Sequence, residues 1–229
     1  MIQAPLLCQP DRAKGCCACC GLFNFQDIGR DNLKQFLSEG RKRSTFFLSR
    51  DDTTGIESFA QIRDPASYIC PHQGFLSKGR PGCLLHPRYR SSSKRHRSFF
   101  GETICGGFIC PAHDCYTGEE KRLIIECIDD WYYYSIAIID PESTQWFLSY
   151  IDSRYGIHAL PKQTIKRLLS LFLEIHADAL RRFPGPIFHY SVSEYRAANK
   201  QFSLSSDNPR LEPERRMVRA EIDHARELS

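Results

Sequence analysis

The run Gly15-Cys16-Cys17-Ala18-Cys19-Cys20-Gly21 holds two interleaved C-x2-C pairs, Cys16/Cys19 and Cys17/Cys20. Two intervening residues let a tight turn set two sulfurs about 3.5–4 Å apart, which suits tetrahedral coordination with zinc–sulfur bonds of about 2.3 Å. The same turn points backbone N–H groups at the thiolates. A pair does not complete a site, so further ligands must come from elsewhere. Cys70 and Cys83 are the next cysteines downstream, and Cys8 lies upstream. Cys105, Cys110 and Cys115 follow at a looser five-residue spacing, either completing the first site or forming a second. His72, His86 and His113 read as surface or core histidines, and Cys127 as ordinary core.

Four thiolates suit zinc, and they equally suit an iron–sulfur cluster, so ligand count does not separate the two. The bacterial ferredoxin run C-x2-C-x2-C is absent. Disulfides and a chance accumulation of small apolar residues are the alternatives to metal. The odd total of 11 cysteines fits a complete disulfide set poorly. The first eight residues show no basic stretch followed by an apolar run, so no secretory signal is expected. A cytoplasmic location is expected instead, where thiols stay reduced and clustered cysteines serve metal or redox chemistry.

Other chemistry is weaker. Lys78, Arg80, Arg88, Arg90, Lys94, Arg95 and Arg97 fall in a stretch without acids, near Tyr89, Phe99 and Phe100. Such a stretch fits a nucleic-acid surface, with Arg88, Arg90, Lys94 and Arg95 as contacts, though a solvated basic loop is favoured. No H-E-x-x-H, G-x-S-x-G or P-loop motif is present, so no catalytic residue is assigned and enzyme activity stays open. A protein partner stays open as well.

The elements that must position these cysteines divide unevenly. The chain has 229 residues, is 41% hydrophobic and 25% charged, and carries a net +4, which fits a globular chain and excludes a wholly disordered one. No window nears 18 apolar residues, so no membrane partner is expected. Ten of the cysteines precede residue 118. Residues 1–118 carry a net +6 and residues 119–229 a net −2, which places the boundary there.

A helix is expected over residues 31–49 from Leu33, Phe36 and Leu37, and a short strand near residues 58–62. Residues 68–118 show no long period and need a staple, for which metal is the economical choice. A helical run follows to Ile139, with Leu123, Cys127, Trp131, Tyr134 and Ile138 on one face. Asp140-Pro141 caps a second helix that ends by Gly156. A third covers residues 161–183, stopped by Pro184-Gly185-Pro186. Residues 203–211 read as linker. The charged, helix-prone tail from Pro213 is expected to dock weakly or fray.

The cysteine pattern resembles the zinc- or iron-chelating cysteine-cluster family whose signature is CxxCxxCC. Cys16, Cys19 and Cys20 match the C-x2-CC part. Cys70 with Phe75-Leu76 resembles the family's middle element. Arg80-Pro81 with Cys83 and Pro87 resembles its ending. The likeness covers roughly residues 8–90. Ala13 stands where the signature's first cysteine would fall, so Cys8 or Cys17 takes that role, and a further cysteine between Cys70 and Cys83 is missing. The resemblance implies metal binding and no particular reaction.

The expected architecture is mainly α with irregular structure. A cysteine-rich metal-binding module, residues 1–118, is covered by a small helical bundle, residues 119–186. A linker and charged helical tail follow, residues 187–229. The expected property is binding of zinc, iron or an iron–sulfur cluster through Cys16, Cys19, Cys20, Cys70 and Cys83, then Cys8 and Cys17. The metal is expected to be structural rather than catalytic. An iron–sulfur or thiol-based redox enzyme is the alternative, and a nucleic-acid binder the further one.

Overall fold

Side-chain oxygens decide where the helices of the second half begin. The computed structural model describes residues 6–50, 62–63, 69–86, 94–98, 100–107, 110–182 and 212–227. Helix α5, Gly118–Cys127, starts in a capping box: Thr117 Oγ1 accepts from Glu120 N at 3.2 Å, and Glu120 Oε2 accepts from Thr117 N at 2.7 Å. Helix α6, Trp131–Ile139, starts at Asp130, whose Oδ1 accepts from the N–H groups of Tyr132 and Tyr133 at 2.9 and 3.0 Å. The continuous run expected up to Ile139 is therefore two helices. Asp130 takes an extended backbone and satisfies the first N–H groups of a new helix with its side chain.

Asp140 caps α7, Pro141–Tyr155, by accepting from Ser143 N at 3.2 Å, with Pro141 in the first turn, as the sequence predicts. Helix α8 spans Lys162–Arg182 and buries Ile165, Leu168, Leu169, Phe172 and Leu173, the predicted face. Pro184-Gly185-Pro186 lies outside the described residues.

Helix α6 is the centre of the packing. Eight of its nine residues are buried, which suits a helix that is apolar on nearly every side. Phe172 of α8 stacks on Phe147 of α7, centroids 4.5 Å apart, and on His176, 5.3 Å apart.

The tail helix, α9, Glu212–Glu227, is docked rather than frayed. Val218 and Ile222 are fully buried against the bundle. Asp140 and Glu214 flank the buried His176: its Nδ1 lies 2.6 Å from Glu214 Oε1 and its Nε2 3.1 Å from Asp140 Oδ2. Burial opposes protonation of His176, but Glu214 and Asp140 outweigh it and hold its pKa up at about 10. The guanidinium groups of Arg215 and Arg219 lie over the Trp146 ring.

The first half is less regular. Residues expected as one helix form two, α1 (Arg30–Ser38) and α2 (Gly40–Leu48). The break lets Gly40 press against the strand backbone, where a Cβ would sit 2.3 Å from Gln73 O. Strands β1 (Gln73–Ser77) and β2 (Arg80–Cys83) pair antiparallel with Gln73 opposite Cys83. Two short helices follow, α3 (Gly101–Gly107) and α4 (Ala112–Cys115). Of the strand expected near residues 58–62, only Ile62 is described, in an isolated bridge to Phe25. The chain is mainly α, and one buried cluster runs from Leu7 to Ile222 across residue 118. Among the described residues no helix is long and apolar enough to cross a membrane.

Candidate metal centre

Three separate stretches of chain are brought to the cysteines by backbone contacts. The run 16–20 enters a 3-10 turn, Ala18–Cys20, which closes when Gly21 N donates to Ala18 O at 2.9 Å. Gly21 has φ 81, a left-handed value that glycine adopts without steric cost. Gly15 lets the run approach β2: a Cβ there would sit 2.1 Å from Pro81 O. Cys70 N donates to Cys20 O at 2.9 Å, and Gln73 Nε2 donates to both Cys20 O and Cys70 O at 3.0 Å.

Arg43 of α2 completes the frame. Its guanidinium donates to the carbonyls of Phe36, Pro71 and Gln73 at 2.9–3.2 Å, and burial lowers its pKa to about 10.

The result is a cavity of about 190 Å³ lined by seven cysteines: Cys8, Cys16, Cys19, Cys20, Cys70, Cys83 and Cys105. His86, Arg95, Ser98 and Phe100 also line it, and no carboxylate does. All eleven cysteines of the chain are free thiols.

The thiols do not titrate alike. Cys20 hydrogen-bonds to both Cys19 and Cys83. Those two acceptors hold the Cys20 proton on, and its pKa lies well above the ordinary thiol value. Donation from Cys20 lowers the pKa of Cys19. The same donation, helped by the N–H of Leu85, the charge of Arg95 and the N–H of His86, brings Cys83 down to about 7. Cys19 and Cys83 thus favour the thiolate, the form that binds metal. Burial raises Cys16 and Cys17 well above the usual range. Burial also takes Cys105 to about 11, with its Sγ 3.0 Å from Ser98 Oγ.

The remaining sequence-predicted residues fall in different places. Cys17 is fully buried behind the cavity wall. Cys110 is buried and does not line the cavity, and burial raises its pKa well above the ordinary thiol value. Cys115 is not brought to the cavity: its Sγ donates to Gln145 Oε1 at 2.7 Å, among Glu142, Glu120 and Asp140. Cys127 is core, as expected, and so is His72, whose Nδ1 lies 2.9 Å from Ser44 Oγ. Lys94 is exposed, Arg95 faces the cavity, and Arg88 and Arg90 lie outside the described residues. Residue types and spacing do not single out His86 and Arg95 as parts of the thiol site. Cys83-Leu84-Leu85-His86 carries a signal for the first, since a turn after a cysteine aims N–H groups at its sulfur.

Among the described residues, no three His, Cys, Asp or Glu side chains are already arranged around one point as metal ligands. Comparison with family models, with curated proteins and with solved structures returned no match.

Proposed function

We propose that the protein holds a metal centre in the thiol cavity, with Cys19, Cys20, Cys83 and Cys70 as its ligands. The observation that carries the reading is geometric: these four thiols line one cavity with three further cysteines, and no carboxylate lines it. An all-sulfur donor set suits zinc or an iron–sulfur cluster and disfavours magnesium and calcium. The N–H groups of Leu85 and His86 aimed at Cys83 would stabilise a ligating thiolate. The resemblance of Cys16, Cys19, Cys20, Cys70 and Cys83 to the CxxCxxCC family supports the same reading. A closed all-thiolate set is that of a structural site.

Elemental analysis and a UV–visible spectrum of protein purified without oxygen or added metal test the proposal. Colourless protein with stoichiometric zinc fits a structural site. Brown protein with iron and acid-labile sulfide fits a cluster and raises the redox-enzyme reading. Protein with neither metal overturns the proposal.

A second reading, thiol-based redox chemistry, is favoured by Cys83 alone, whose pKa of about 7 leaves about half of it as thiolate at neutral pH. Metal-free protein in which Cys83 alkylates no faster than an ordinary thiol would remove it. A nucleic-acid surface would show salt-dependent binding that is lost when Arg88, Arg90, Lys94 and Arg95 are neutralised together.

A further inference from the structure

Helix α2 carries its charges against its own dipole. Its first turn holds Arg41, Lys42 and Arg43 and no acid, and its last turn holds no base. Glu39, just before it, makes no side-chain cap. The positive end of a helix repels cations and favours anions. Arg43 is engaged with the carbonyls of Phe36, Pro71 and Gln73, but Arg41 and Lys42 are exposed. The fold then adds cations from two other segments. Arg41 Nη2 donates to Leu76 O at 3.0 Å, which sets it beside the β1–β2 turn, Ser77-Lys78-Gly79-Arg80. Ser77 Oγ donates to Arg12 O at 3.4 Å and Arg80 Nη1 to Asp11 O at 3.2 Å, so the loop bearing Arg12 lies against the same turn. Arg12 and Lys78 are exposed. Asp11 is committed inward: its Oδ1 accepts from Ala13 N and Lys14 N at 2.7 Å, and its Oδ2 lies 3.7 Å from the buried Lys14 ammonium.

The other end of α2 is basic as well. Arg97 Nη2 donates to Leu48 O and Arg50 O at 3.2 and 3.1 Å. Between the two ends Phe46 is 40% exposed, one of three large apolar side chains left so among the described residues. The Arg50 guanidinium lies over its ring, 4.1 Å from the centroid. We infer that this face binds single-stranded nucleic acid, with phosphates on Arg12, Arg41, Lys42 and Lys78 and a base stacked at Phe46 beside Arg50. Cations that track a backbone next to an exposed aromatic ring are what an unpaired strand requires. A duplex would meet the cations but offers no free base face to Phe46, and an acidic peptide has no use for the ring. The phosphates would also relieve the repulsion at the start of α2. This surface is not the basic stretch of Arg88, Arg90, Lys94 and Arg95. It shares the β1–β2 hairpin with the thiol cavity but uses none of its cysteines, so it holds whatever the cavity contains.

The test is fluorescence polarisation of a labelled oligothymidylate of about 12 nucleotides against the full-length protein over a series of salt concentrations. The chains compared are wild type, R41Q/K42Q/K78Q, F46A and R122Q/R181Q/R182Q. The last removes the same charge from exposed positions on α5 and α8. All the changed side chains are exposed, so far-UV circular dichroism should not move. Wild type is expected to bind more weakly as salt rises. For a single strand each phosphate contact contributes about 0.7 to the slope of log affinity against log salt, so R41Q/K42Q/K78Q should flatten it by about two. F46A should lower affinity about 5-fold or more at every salt concentration and leave the slope alone. R122Q/R181Q/R182Q should match wild type. No binding by wild type at low salt overturns the inference, and so does a wild-type slope in R41Q/K42Q/K78Q. An equal flattening in R122Q/R181Q/R182Q would reduce the effect to overall charge and end it too. Wild-type affinity in F46A, or tighter binding of a duplex of the same length, would overturn the single-strand assignment.

Discussion

The helical region, residues 118–182 with α9, and the thiol region, residues 6–107, position their side chains by opposite means. In the helical region α5, α6 and α7 carry their own start signals: Thr117, Asp130 and Asp140 satisfy the first N–H groups with side-chain oxygens. Burial of α6 then fixes the packing. In the thiol region the work falls to backbone–backbone approach. Gly15 lies against Pro81, Gly40 against Gln73, and Cys70 is bonded to Cys20. Local capping tolerates substitution nearby, whereas backbone approach forbids even a methyl group. The regions are also coupled, because the rigid helix supports the irregular segment: Tyr134 of α6 donates to Leu7 O at 2.7 Å, one residue before Cys8.

This contrast gives an ordered set of expected effects. The largest is in C19S/C83S. Removing two ligands from a thiolate centre forfeits most of its binding free energy, of order 10 kcal/mol for structural zinc. Metal is expected to be lost and residues 6–86 to lose hydrogen-exchange protection, while α5 to α8 keep theirs. Equal loss of protection in both regions would show that they do not respond separately.

Next is E214Q, which leaves His176 and Asp140 buried with one charge removed, at an expected cost of about 3–5 kcal/mol. Helix α9 should then be released, read as lost hydrogen-exchange protection over Glu212–Glu227, with little change in metal content. The same contact has a pH signature. The folded pKa of His176, about 10, is raised above the ordinary 6.5. Its contribution is therefore complete below about 6.5 and is lost as pH rises through about 10. Wild type should release α9 on the alkaline side, and E214Q should show a flatter alkaline limb.

G15A is expected to cost about 1–3 kcal/mol by overpacking and to weaken metal affinity, because it pushes the cysteine run off β2. Unchanged metal affinity would show that the close approach at Pro81 does not position the site. The smallest effect is that of D130A, which loses a helix cap worth about 1 kcal/mol and the ion pair with Arg30. Its melting temperature should fall slightly with metal content unchanged.

Much of the helical region is legible in the sequence because its signals are local. Asp140-Pro141, the apolar face of α8 and the stop at Gly156 all appear where periodicity and capping place them. The break at Asp130 is hidden, since Leu123 to Ile138 continue one helical period across it, and period alone does not register a side chain that restarts the helix. The break before Gly40 is hidden for a different reason: its cause, the Gln73 carbonyl, lies more than thirty residues away. The docking of α9 is hidden because Glu214 finds its partner in His176, and a charged helix with two apolar residues in register looks unattached until its groove is seen.

Among the cysteines, the sequence alone picked out Cys16, Cys19, Cys20, Cys70, Cys83, Cys8, Cys17, Cys105, Cys110 and Cys115 as chemically loaded, and all but Cys17, Cys110 and Cys115 line one cavity. Residue type and short spacing suffice for that, because a C-x2-C turn is a local object. Only the tertiary structure decided that Cys17 sits behind the wall, that Cys115 turns away to Gln145, and that His113 meets Cys8. It also decided which thiols favour the thiolate, since Cys19 and Cys83 are lowered by their neighbour Cys20 and not by their place in the sequence. These are distances between residues far apart in the chain. Chain order does not constrain such distances until backbone packing at Gly15, Gly40 and Cys70 closes them.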